Sequence, residues 1–171
     1  MKLTLETERL ILRPFEKEDA EAIFYGWASD PEVTRYLTWD THESIEMTRA
    51  LLEMWEKEYE QPDRLNFGIV LKEENRLIGG IDVVRYEDGA PVIGYDLARA
   101  YWNKGYATEA CRRVLDHLFS IGHDRVRIDA VRENTGSNRV IQKCGGTLTS
   151  TGTQHHDTKG DLVINRYIIR K

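Results

Sequence analysis

The sequence predicts an α/β (α+β) domain, a mixed sheet of about seven strands with helices on both faces. Apolar residues alternate at Leu65, Phe67, Ile69 and Leu71, the period of a half-buried strand. Elsewhere they follow helical spacing, as in Ile45, Thr48, Leu52, Trp55 and Tyr59. Strand-like and helix-like segments alternate along the chain, and no linker, internal repeat or low-complexity tract divides it. Residues 1–171 are therefore read as one domain.

Leu3, Leu5 and Leu10-Ile11-Leu12 read as a first strand ended by Pro14. Lys17 to Ala28 carries Ala20, Ile23, Phe24 and Trp27 at helical spacing. Asp30-Pro31 is an N-cap with proline at the first helical position and predicts a short helix to about Tyr36. Asp40 and Glu43 make a capping box for a long helix ending near Tyr59. Strands are then expected over 65–71, 76–86 and 91–98, with Gly79-Gly80 marking a bulge or close backbone approach. A helix over 108–121, a strand over 125–131 and a short helix over 138–144 follow. Segments 147–154 and 161–169 form a closing hairpin across the polar loop His155 to Gly160.

Composition narrows the function. Forty per cent hydrophobic and 31% charged residues suit a water-soluble globular chain, and no apolar run is long enough to span a bilayer. Residues 1–13 alternate and show no secretory leader. Cys111 and Cys144 form no Cys-x-x-Cys pair and fit free thiols in a reducing compartment, so a cytoplasmic location is expected. A formal charge of −5 argues against a nucleic-acid partner held by a broad basic face. No membrane partner is expected.

Two segments carry chemistry. The run from Tyr101 to Ala110 (YWNKGYATEA) follows a strand and opens an amphipathic helix, with no proline to remove a donor. Gly105 and Ala107 leave space for a phosphate to approach the main chain, and the helix N-terminus adds unpaired N–H groups. Arg99, Lys104, Arg112 and Arg113 surround this cradle. It contains neither a Walker sequence nor Gly-x-Gly-x-x-Gly. Downstream, Glu133-Asn134-Thr135-Gly136-Ser137-Asn138 follows a strand and leads into a short helix stopped by Gly145-Gly146.

Together these segments resemble the GNAT N-acetyltransferases, and in particular the branch with the ribosomal-protein N-terminal (alanine/serine) acetyltransferases. The opening Thr7-Glu8-Arg9-Leu10-Ile11-Leu12-Arg13-Pro14-Phe15 and the run Ile93-Gly94-Tyr95-Asp96-Leu97 share in the likeness, which covers about Leu3 to Ile169. The resemblance implies a mostly antiparallel sheet in which strands ending at Leu97 and near Val131 splay into a slot. It implies acetyl-CoA as acetyl donor, held by Leu97, Ala98, Trp102, Asn103, Lys104, Gly105, Tyr106, Ala107, Thr108, Asn134, Ser137 and Asn138. Two positions depart from the pattern: Ile141 stands where many members have a tyrosine acid, and Trp102 where Arg or Gln is usual. Ser137 matches the ribosomal branch and is placed to hydrogen-bond the leaving sulfur, its other reading being a helix cap. Arg139 and Lys143 could meet the nucleotide's phosphates.

Acetyl transfer requires a deprotonated amine, a polarised thioester carbonyl and a stabilised thiolate. A lysine side chain with pKa about 10.4 is almost wholly protonated at neutral pH, whereas an α-amine at about 7.7–8.0 is roughly a tenth neutral. An α-amine therefore asks less of the base. Asp96, unusual within an apolar strand, is the leading base candidate, either with a raised pKa or paired with an arginine; Asp82 and Glu133 are the others. A main-chain N–H near Leu97 would polarise the carbonyl. Tyr36 and Trp39 are the expected acceptor contacts, while Trp27 reads as packing and the His155-His156 pair as a solvated turn without a metal. The expected function is acetyl transfer from acetyl-CoA to a primary amine, foremost a protein N-terminal α-amine. A small-molecule amine acetyltransferase and a non-catalytic acyl-CoA-binding module are the alternatives, and a homodimer is compatible with this branch.

Overall fold

The structure, a computed structural model, describes residues 2–171. The first apolar segment is two strands rather than one, β1 (Leu5–Glu6) and β2 (Leu10–Arg13), paired antiparallel with Leu5 opposite Leu12. The Thr7 N–H donates to the Leu10 carbonyl at 3.0 Å and the Leu10 N–H to Thr7 Oγ1 at 2.9 Å, closing a turn that strand periodicity alone conceals. This raises the expected seven strands to eight. A helical stretch follows whose pitch changes along its length: a 3₁₀ turn (Lys17–Asp19), α1 (Ala20–Ile23) and a π turn (Phe24–Ala28). Asp19 anchors its start by accepting from the Glu16 N–H at 2.8 Å and pairing with Arg13 at 2.9 Å.

Asp30 caps α2 (Pro31–Thr34) by accepting from the Glu32 N–H at 3.0 Å, as its sequence predicts. The long helix α3 (Ile45–Glu58) begins after Ser44, not at Asp40. Residues 41–43 are instead drawn back onto the preceding segment. Thr41 and Thr34 share a hydroxyl contact of 2.6 Å, and the His42 N–H donates to the Ala28 carbonyl at 2.8 Å. Tertiary bonds here override a local capping signal.

The remaining elements are β3 (Asn66–Leu71), β4 (Arg76–Glu87), β5 (Ala90–Leu97), α4 (Tyr106–Ser120), β6 (Arg125–Val131), α5 (Thr135–Lys143), β7 (Thr147–His156) and β8 (Gly160–Arg170). Helix α5 starts three residues before the expected Asn138, because Asn134 is its N-cap. The sheet runs β1-β2-β3-β4-β5-β6-β8-β7, and every neighbouring pair is antiparallel except β5 and β6. One core, including Leu12, Ile69, Ile81, Val114, Leu118 and Ile128, lies under α4 and α5. The other, including Phe15, Ile23, Trp27, Leu52 and Leu77, lies under α1–α3. Helices thus cover both faces. No helix among the described residues is long and apolar enough to cross a membrane.

One register governs the site. β5 and β6 pair only at Val92–Arg127 and Ile93–Ile128, and the rest of β5 leaves β6 behind. On its other edge β5 stays bound to β4 as far as Leu97 opposite Gly79. That approach is close enough that a Cβ on Gly79 would collide with the Asp96 carbonyl oxygen and lie 3.0 Å from Leu97 Cα. Gly79→Ala should therefore destabilise the fold by about 1–3 kcal/mol, measured by urea unfolding. A variant as stable as the parent would show that β5 is not held this way.

Candidate active site

Beyond the last β5–β6 pair, a slot opens between Gly94–Leu97 on one side and Asp129–Val131 on the other. At its mouth the chain turns into α4 through Asn103 (φ 58°) and Gly105 (φ 83°), both left-handed. The main-chain N–H groups of Asn103, Lys104, Gly105, Tyr106, Ala107 and Thr108 donate no hydrogen bond among the described residues; the first bonded helical donor is Glu109, to Gly105. Such a run of unpaired donors at the positive end of a fifteen-residue helix is an anion cradle suited to a pyrophosphate. Lys104 is exposed and enters no ion pair among the described residues, so its charge is available there.

Three of the other predicted basic residues, Arg99, Arg112 and Arg113, are otherwise engaged. Arg99 pairs with Asp30 at 2.8 Å. Arg112 donates to the Lys143 carbonyl at 2.8 Å, joining α4 to α5, and Arg113 to the Glu6 carbonyl at 3.1 Å. Arg139 and Lys143 are both exposed on α5. The residue that shapes the cradle is Arg9, which spacing alone could not have linked to a site some hundred residues on. Its Nε meets Glu109 Oε2 at 2.6 Å, its own N–H meets Oε1 at 3.0 Å, and Nη1 donates to the Lys104 carbonyl at 3.0 Å. The guanidinium also lies 4.4 Å from the Tyr106 ring centroid. By taking the Lys104 carbonyl, Arg9 fixes that peptide within the turn.

The strand geometry distributes groups around the slot. The Ala98 N–H donates to the Ile78 carbonyl at 2.8 Å, towards β4, so by strand alternation the Leu97 N–H points into the slot. The Leu97 carbonyl, on the same side, accepts from the Trp102 indole N–H at 2.8 Å. Trp102 thus braces the strand end with its side chain. Tyr95 packs toward the α4–α5 core, and its hydroxyl lies 2.7 Å from Ser137 Oγ and donates to the Ser137 carbonyl at 3.2 Å. Burial pushes the Tyr95 phenol well up, so it remains protonated.

Asp96 lies on the opposite face, beside Gly80 and Phe15 of the α1–α3 side. Its Oδ1 accepts from the Gly80 N–H at 2.9 Å. Burial, reinforced by the nearby charge of Asp82, pushes its carboxyl up to about 7 despite that hydrogen bond. Asp82 is itself raised to about 6 by burial, with Arg64 at 3.3 Å opposing the shift. Asp96 forms no ion pair among the described residues, so the expected alternative of an arginine partner is not made.

On α5, Asn134 Oδ1 accepts from the Ser137 N–H at 3.2 Å as N-cap, while its amide nitrogen donates to nothing described and remains free for a ligand. Asn138 departs from expectation. It is buried, donates to the Asn134 carbonyl at 2.7 Å, and accepts from Asn165 at 2.9 Å and Tyr167 at 2.7 Å. Its amide is used internally, so it positions α5 on β6 and β8 and has little left to offer a cofactor.

An open cavity of about 370 Å³, reached by Glu133 just past the end of β6, is lined by Pro31, Thr34, Arg35, Tyr36, Thr41, Glu133, Lys159 and Leu162. Tyr36 and Glu133, expected as an acceptor contact and a proton acceptor, both stand in the lining of this cavity. Trp39 does not line it; its ring packs on the α1–α3 core near His42. Lys159, unremarked in sequence because a turn lysine looks solvated, fastens this wall. Its ammonium donates to the carbonyls of Thr34 at 2.7 Å, Leu37 at 2.5 Å and Trp39 at 2.9 Å. His156 adds a contact of 3.1 Å to the Thr38 carbonyl, so the expected solvated turn is instead strapped onto residues 34–39.

Residues 9–147 match the family model of the acetyltransferase (GNAT) domain. The chain belongs to the GNAT acetyltransferase family. It is 33% identical over 163 residues to an uncharacterized N-acetyltransferase, p20, of Bacillus licheniformis, covering 94% of this chain and 91% of that one. Its structure is similar to a GNAT-family acetyltransferase from Bacillus anthracis, with a TM-score of 0.86, 28% identity and 98% coverage of both chains. At 20% identity, a Salmonella typhimurium acetyl transferase that modifies the N-terminal serine of ribosomal protein L7/L12 shares the fold, with a TM-score of 0.85 and 99% coverage of both chains. This GNAT member is thus an acetyl-CoA-dependent acetyltransferase, and its unpaired cradle donors fit the pyrophosphate of that donor.

Two results are expected. Arg9→Ala should weaken coenzyme A binding at least tenfold by calorimetry, with Arg9→Lys restoring little because one ammonium cannot span Glu109 and the Lys104 carbonyl. Unchanged affinity would remove Arg9 from the site. Because the folded Asp96 carboxyl is raised above its ordinary 3.8 to about 7, the native state alone holds that proton between these values, and stability falls as pH rises through the window. Asp96→Asn should accordingly be more stable than the parent by roughly 1–3 kcal/mol at pH 8, and the gain should vanish near pH 4. Parallel stability curves would contradict the raised carboxyl.

Proposed function

We propose that this GNAT acetyltransferase acetylates α-amines, foremost a protein N-terminus. The carrying observation is the Asp96 carboxyl, raised to about 7 on the α1–α3 side of the slot. Taking a proton from an α-ammonium of pKa about 8 is uphill by roughly one unit, about 1.4 kcal/mol. The same transfer from a lysine ammonium at about 10.4 is uphill by more than three units, about 4–5 kcal/mol. The base is matched to the weaker amine. The fold shared with the enzyme that modifies the L7/L12 N-terminal serine supports the same reading.

In this scheme the donor supplies an activated acetyl thioester. Leu97 offers its N–H to the carbonyl oxygen as negative charge develops there. Asp96 receives the amine proton from the face carrying the acceptor cavity, with Glu133 in that cavity's wall as a second acceptor of protons through water. Ser137, backed by the protonated Tyr95, meets the departing sulfur from the opposite face. That arrangement supplies a proton donor where Ile141 offers none.

The modest volume of about 370 Å³, though open to solvent, favours a second reading, a small amine acceptor rather than a long peptide. Thiol release from acetyl-CoA, followed with N-terminal peptides, small α-amines and polyamines, distinguishes the two. Turnover should favour α-amines over polyamines, with an ascending limb of kcat/KM near pH 7 set by Asp96. Asp96→Asn should lower kcat by about 10²–10⁴-fold and abolish that limb. Polyamine preference, or a limb that survives the substitution, would refute the assignment.

A further inference from the structure

The acceptor cavity carries charges that the transfer reaction does not use. Arg35 is exposed at its rim, its guanidinium 5.2 Å from the Tyr36 ring centroid, and it enters no ion pair among the described residues. Lys159 spends all three ammonium protons on the carbonyls of Thr34, Leu37 and Trp39, and no carboxylate pairs with it. The neighbouring acid, Asp40, takes the Thr158 hydroxyl and forms no ion pair with Lys159. Glu133 is the one acidic residue in the lining and also lacks a cationic partner among the described residues.

The lining itself holds two cations and one carboxylate, with the charge of Asp40 acting on Lys159 from outside it. Hydrogen bonds to main-chain oxygens fix Lys159, whose charge Asp40 partly offsets, which leaves Arg35 as the unpaired cation of the lining. Arg35 keeps its fork of donors free, the geometry that recognises carboxylates and phosphates. Glu133 presents the opposite charge at the end of β6, next to the slot. A site built for polyamines would show the reverse pattern, carboxylates in excess and no free arginine.

We propose that this cavity binds an α-amine whose own structure bears an anionic group, the anion on Arg35 and the amine held between Glu133 and the slot. The inference rests on the α-amine reading and narrows it: a neutral or polycationic amine lacks half of the recognition. A free amino acid or short acidic metabolite and an acidic protein N-terminus present this same chemistry.

The test is calorimetric binding to the whole protein saturated with coenzyme A, which carries no acetyl group and allows no turnover. Matched pairs are compared at constant ionic strength: serine with serinamide, Ser-Glu-amide with Ser-Gln-amide, and Ser-Glu with Ser-Gln at the head of a ten-residue peptide. The anionic member should bind about tenfold more tightly, and Arg35→Gln should erase that difference while leaving the neutral member's affinity unchanged. Discrimination confined to serine or the dipeptide identifies a small acceptor, and discrimination in the ten-residue pair a protein N-terminus; either supports the proposal. Equal affinities within every pair, no detectable binding of any member, or a difference that survives Arg35→Gln overturns it. Loss of thiol release with the discrimination intact would instead refute only the catalytic reading, because this readout needs no turnover.

Discussion

The architecture depends on a competition that β5 loses on one edge and wins on the other. β5 and β6 are the one parallel pair in the sheet and share only two register positions. Each is held more fully by its other neighbour, β5 by β4 along its length and β6 by β8 over all seven residues. The close glycine contact at Gly79 keeps the end of β5 on β4, while the buried Asn138–Asn165–Tyr167 cluster ties α5 to β6 and β8. A continuous β5–β6 ladder would close the slot, bury the Leu97 N–H in a sheet bond and leave no place for an extended donor. The missing ladder is thus the structural condition for the site.

That opening sets the geometry of everything around it. Strand alternation sends Tyr95 toward Ser137 on one face and Asp96 toward Gly80 on the other, with the Leu97 N–H between them. The Asp96 carboxyl and the Tyr95–Ser137 hydroxyl pair are consequently separated by the thickness of one strand. Both are costly to keep there. Desolvation raises the Asp96 carboxyl, and six main-chain donors beside the slot are left unpaired. A stability-optimised fold would remove such features; costly, unsatisfied groups of this kind gather at functional sites.

Much of this was legible in the sequence because the relevant signals are local. The YWNKGYATEA turn announces itself through glycine, missing proline and the amphipathic helix behind it, and β6 falls on the expected residues 125–131. Asp96 stands out as a lone acid in an apolar strand. What stayed hidden depends on contacts between distant segments. Arg9 meets Glu109 and Lys159 meets Thr34 across separations that carry no periodicity. Asn138 and Trp39 failed in the other direction, for a polar or aromatic residue beside a site looks the same in sequence whether it faces the ligand or the core. The capping box at Asp40 yielded to the bonds that draw Thr41 and His42 back onto residues 28–34.

Residue-resolved amide hydrogen exchange, with and without acetyl-CoA, tests the central claim most directly. The amides of Asn103 to Thr108 are unbonded in the free protein and should exchange rapidly, then become strongly protected when acetyl-CoA binds, together with the Leu97 amide. Protection that appears elsewhere while these seven amides continue to exchange rapidly would contradict the account.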